Sequence, residues 1–204
     1  LCAAIALTGM RRRIAGGVIA GLAVATSLAI GMESIPIVVA TIAIFALLWL
    51  ADPSAYRGPL AAFGVVLATA TTAHFLFATA PADYAMAVCD MLSITYVVPA
   101  IVGGGALALI AWSGTGRGNV YVRGALLAAG GGVTLAVVAL FFPQCLAGPY
   151  ASAEALISFP GYMDTLSETR SLGTYASDDP ATGAVFAAAV LIALPITVWA
   201  AVAS

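Results

Sequence analysis

The stretch Met10–Pro36, MRRRIAGGVIAGLAVATSLAIGMESIP, decides how the rest of the chain is read. Three arginines are followed by an unbroken apolar run from Ile14 to Gly31, and the run stops at Glu33. At about 1.5 Å of rise per residue, such a run is close to the roughly 30 Å needed to cross a hydrocarbon core. One end of the segment is cationic and the other is acidic. The same alternation continues down the chain. Arg57, Arg117 and Arg123 fall in the gaps equivalent to Arg11, Arg12 and Arg13. Glu33, Asp83, Asp90, Glu154, Asp164, Glu168, Asp178 and Asp179 fall in the other gaps, and only Asp52 and Arg170 break the pattern. Arginine flanking short loops is retained on the cytoplasmic side during insertion, so the arginine loops are expected inside and the acidic loops periplasmic.

The composition agrees. Hydrophobic residues make up 63% of the 204, charged residues 8%, and lysine is absent; the mean hydropathy is +1.10. Such a chain lies outside the soluble globular range and reads as all-α: a polytopic transmembrane helical bundle in a bacterial inner (plasma) membrane. The lipid bilayer is its expected partner. Nucleic acid is excluded, because Arg11 to Arg13 are a topology anchor rather than part of a basic face. Residue 1 is leucine, and LCAAIALTGM resembles the tail of an apolar helix stopped by RRR. The chain is therefore read as a fragment of a longer membrane protein, with residues 1–204 forming one transmembrane domain. A signal peptide would carry its positive charge before the apolar run, not after it.

Six spans are expected, at about 14–31, 36–51, 59–80, 97–112, 124–142 and 183–203, after a partial leading helix. The second and fourth are short and are expected to borrow flanking residues. Asp52 to Gly58 reads as an inside turn, Pro81 to about Tyr96 as an outside loop, and SGTGRGNVYVR as an inside loop. A long extracytoplasmic segment, 143–182, precedes the last span. Small residues crowd the spans: Gly17 and Gly21, Gly103 to Gly105, and Gly130 to Gly132. In lipid, small side chains let helix backbones approach, so these glycines read first as packing positions.

Several polar residues stand out. Glu33 ends the first span and is either a functional carboxylate or a solvated acid near a helix start. His74 is the single histidine. With no ligand cluster around it, it is expected to hydrogen-bond Thr71 or a neighbouring helix. Cys89 and Cys145 both fall on the acidic side, where they would either pair as a disulfide or remain small buried thiols; Cys2 is expected to stay free. Arg170 is the cation of the long segment and suits a phosphate, with an ion pair to Glu168 as the simpler alternative. No Walker loop, GxSxG elbow, HExxH or CxxC occurs. No metal site and no cofactor are evident, although a divalent metal stays open for the full-length protein.

Four pieces together carry a resemblance: GLAVATSLAIGMESIP, AVCDMLSITYVVP, FFPQCLAGPYAS and TLSETRSL. They resemble the carboxy-terminal half of bacterial membrane proteins grouped with the GT-C glycosyltransferases, which are similar to the protein mannosyltransferase and aminoarabinose transferase classes. The resemblance implies transfer of a sugar from a polyprenyl-phosphate donor on the outer face. It also implies a catalytic acid in an upstream loop that lies before this chain. No catalytic residue is carried over, and the fragment is not expected to be active alone. Glu33, Asp90, Tyr150, Glu168 and Arg170 are the candidate substrate-binding residues. A transporter or permease portion and a non-catalytic membrane scaffold are the alternatives.

Overall fold

The computed structural model describes residues 13–31, 34–113, 119–147, 180, 181 and 184. The chain forms two compact units, one over Cys2–Ser152 and one over Ala153–Ser204 with Leu1. The first unit holds five described α-helices: α1 Arg13–Ile30, α2 Ile35–Ala51, α3 Pro53–Ala78, α4 Ile94–Trp112 and α5 Val120–Phe141. Short 3-10 turns occupy Pro81–Asp83 and Pro143–Ala147. No strand occurs among the described residues. Helices α3, α4 and α5 are each long and apolar enough to cross a membrane, and α1 and α2 are shorter apolar helices. The sixth expected span, 183–203, lies outside the described residues apart from Ala184.

Helix α3 is the hub. Both α1 and α4 pack along it, α2 rests on it, and α5 packs on α4. Glycine makes these crossings close. A Cβ on Gly64 would stand 2.4 Å from the Gly104 carbonyl oxygen, and a Cβ on Gly104 would meet the Gly64 oxygen at the same distance. Gly17 is pressed against the Pro59 backbone and Gly21 against that of Phe63. Gly17 and Gly21 meet Pro59 and Phe63 in that order, so α1 runs parallel to α3; Gly64 also meets Ala108 and Gly104 meets Ala68, so α4 runs antiparallel to it. Around the crossings, Phe45 stacks on Phe63 with ring centroids 4.7 Å apart, and Trp49, Leu60 and Phe63 are fully buried.

Three helix starts lie earlier in the chain than the apolar runs suggest. The turn expected at Asp52 to Gly58 is the first turn of α3: Asp52 accepts a hydrogen bond from the Ala55 N–H at 3.0 Å, and Pro53 fills the first helical position. Proline costs nothing there, because its missing N–H has no helical partner to lose. In the same way Asn119 accepts from Tyr121 N at 3.1 Å and starts α5 at Val120 rather than Gly124. Helix α4 starts at Ile94 rather than Val97, inside the expected outside loop.

The end of the unit that carries Arg57 and Arg123 is bound together by those two side chains. Arg57 Nη2 donates to the carbonyl of Trp112, the last residue of α4, at 2.9 Å. Arg123 Nη2 donates to the carbonyl of Leu50, in the last turn of α2, at 3.0 Å. The last carbonyls of a helix lack partners within it and carry the negative end of its dipole, so a guanidinium both satisfies and neutralises them. Arg57 and Arg123 thus cap the ends of two neighbouring helices.

Candidate functional site

The acidic end is built around the connection between α3 and α4. Tyr84 donates from its hydroxyl to the Leu76 carbonyl at 3.0 Å, and its ring packs on Phe75. Further along, Ser93 Oγ and Thr95 Oγ1 both reach the Val88 carbonyl, at 2.5 and 2.7 Å. The Val88 N–H donates back to Ser93 Oγ at 3.3 Å, and the Tyr96 hydroxyl donates to the Cys89 carbonyl. Ser93, Thr95 and Cys89 are buried. A disulfide joins Cys89 to Cys145, with Cα atoms 5.4 Å apart, and so ties this loop to the 3-10 turn after α5. These groups satisfy one another and act as a brace. Asp90, the next residue, stands exposed on it.

Below the brace lies an apolar slot of about 410 Å³ walled by α2, α4 and α5. Ile35, Tyr96 and Leu135 line its upper end, and Ala46, Ile110 and Leu127 its lower end. From Ile35 to Ala46 the helical rise amounts to about 16 Å, or roughly one leaflet of a bilayer. Val39 and Leu135 line the slot while being 58% and 71% exposed, so it opens sideways. Its polar side chains are already engaged: Tyr96 bonds to Cys89, and Thr134 Oγ1 donates to the Gly130 carbonyl at 2.9 Å. The chemistry that such a wall accepts is hydrocarbon.

The glycines therefore serve two purposes. Gly17, Gly64 and Gly104 allow helix crossings. Gly131 lines the slot, and a Cβ added there would meet nothing within 4 Å. Sequence alone assigned both groups to packing, since a run of three glycines does not reveal which member faces a helix and which faces space.

His74 bonds to a neighbouring helix rather than to Thr71. Its Nε2 lies 3.2 Å from Thr26 Oγ1 on α1. Thr26 gives its own proton to the Leu22 carbonyl at 2.9 Å, so the imidazole Nε2–H is the donor of the pair. Thr71 Oγ1 is buried without a hydrogen-bond partner. Among the described residues no group of three or more His, Cys, Asp or Glu is placed to hold a metal. Of the candidate substrate-binding residues, Asp90 is described; Glu33, Tyr150, Glu168 and Arg170 lie outside the described residues. The chain matches no protein-family model, no curated protein and no solved structure.

Proposed function

We propose that this chain is the membrane-embedded part of a GT-C-like glycosyltransferase that takes its sugar from a polyprenyl-phosphate donor on the extracytoplasmic face of a bacterial inner membrane. In this reading the chain crosses the bilayer about six times, with its arginine loops cytoplasmic and its acidic loops periplasmic. The supporting observation is the slot: an apolar, sideways-open recess about one leaflet deep, directly beneath a braced loop that carries Asp90. A lipid-linked donor has that division of chemistry, with a long hydrocarbon tail and a charged, sugar-bearing head. In the transfer, the bond from the anomeric carbon to the phosphate oxygen breaks and an acceptor oxygen takes its place. The acceptor's proton passes to a base supplied upstream of this chain, and polyprenyl phosphate leaves.

The test is photo-crosslinking of the full-length protein with a polyprenyl phosphate bearing a diazirine in its tail. Gly131→Leu places an isobutyl group in the slot and is expected to reduce labelling about tenfold or more, the range for steric changes in apolar pockets. Gly105→Leu is the control, because Gly105 also has nothing within 4 Å of its Cβ position but does not line the slot. Equal labelling of both variants and the parent would reject the slot as the tail site. Unchanged sugar transfer by a stable Gly131→Leu variant would show that the reaction does not use the slot.

A further inference from the structure

A second ligand chemistry is written at the opposite end of the unit. Arg57 is exposed on the first turns of α3, and its guanidinium is held against the end of α4 by the 2.9 Å bond to the Trp112 carbonyl. The side chain of Trp112 is itself 66% exposed. That carbonyl occupies one of the several N–H donors of the guanidinium, and the planar fork that remains matches a phosphate. Because the contact to Trp112 fixes the group in place, less conformational freedom is lost on binding than for a wandering side chain.

The surroundings favour an anion. Asp52 is the acidic side chain at this end among the described residues, and its carboxylate is committed to Ser54 Oγ at 2.6 Å and to the Ala55 N–H at 3.0 Å. Arg123 adds a further cation on α5, with Tyr121 81% exposed nearby in the sequence. The sequence places Arg11, Arg12 and Arg117 in the same gaps. Exposed tryptophan and tyrosine beside apolar helix faces mark the headgroup level of a bilayer, where an amphipathic ring has one side in hydrocarbon and one in water.

We propose that Arg57 and Trp112 form a binding site for the phosphate headgroup of an anionic phospholipid, with the guanidinium bonding the phosphate and the indole lying at the headgroup level. The site lies at the arginine end, away from Asp90, and stands or falls independently of the sugar-transfer reading.

Native mass spectrometry of the protein in detergent, with equimolar phosphatidylglycerol and phosphatidylcholine, tests it. The unaltered protein is expected to retain phosphatidylglycerol about fivefold over phosphatidylcholine, the ratio that corresponds to roughly 1 kcal/mol for a basic residue at an anionic surface. Arg57→Gln is expected to erase most of that preference. On the unaltered protein, a measurement that needs no folded variant, the preference is expected to fall as salt is raised and to resist inorganic phosphate. Equal retention of the two lipids would overturn the proposal, as would full preference in Arg57→Gln, insensitivity to salt, or displacement by inorganic phosphate.

Discussion

Alanine at Gly64 or Gly104 is expected to destabilise the unit by about 3 kcal/mol, at the upper end of the usual range for overpacking. The reason is the crossing of α3 and α4. Each glycine faces the carbonyl oxygen of the other, and a Cβ would stand 2.4 Å from it. The obstacle is backbone, so no rotamer change relieves it; the helices must separate and give up the dispersion contact that holds them together in lipid. Alanine at Gly105, Gly131 or Gly132 is the comparison, since none of these has anything within 4 Å of the added atom. These three are expected to be neutral or to gain up to about 1 kcal/mol from the higher helix propensity of alanine. Unfolding of each variant by titration with a denaturing detergent measures the difference. Similar losses at all five positions would contradict a close glycine contact between α3 and α4.

Serine at Cys145 is expected to cost about 2–4 kcal/mol in the same titration. The bridge to Cys89 spans 56 residues, a loop that contains all of α4 and α5. Without it, the connection carrying Asp90 loses its tie to the end of α5, while the hydrogen bonds from Ser93, Thr95 and Tyr96 remain. Those bonds hold the loop to the start of α4 alone. Replacing both cysteines is expected to cost no more than replacing one, because the two residues act as a single link. A reductant applied to the unaltered protein should reproduce the loss, and a shift in electrophoretic mobility on reduction reports the bridge directly.

The physical chemistry of the sequence carried the helices further than it carried the site. Apolar runs locate each described helix, because lipid solvent leaves a hydrogen-bonded helix as the economical way to bury a backbone. The three early starts share one cause: Tyr56 and Arg57, Thr95 and Tyr96, and Tyr121 and Arg123 lie in the first turns of their helices, and polar residues ahead of an apolar run look from sequence like loop. The arginine caps were legible as charges but not as bonds. Which carbonyl Arg57 or Arg123 reaches depends on which helices finish side by side, and that is settled by packing on α3. The slot left no signal of its own, since Gly130 and Gly131 read identically in a list of small residues. For His74, the partner lies 48 residues away on α1, beyond the range of any local pattern. Glu33, Tyr150, Glu168 and Arg170 are outside the described residues, so their part in a site rests on the sequence.

The sorting of charge to opposite ends underlies all of this, and thiol accessibility on intact cells tests it most directly. With Cys2 replaced by serine, Asp83→Cys and Arg117→Cys are made separately and treated with a membrane-impermeant maleimide. The thiol at position 83 is expected to react from outside, and the thiol at 117 only after the membrane is permeabilised. Labelling of position 117 in sealed cells, with 83 protected, would contradict the assignment.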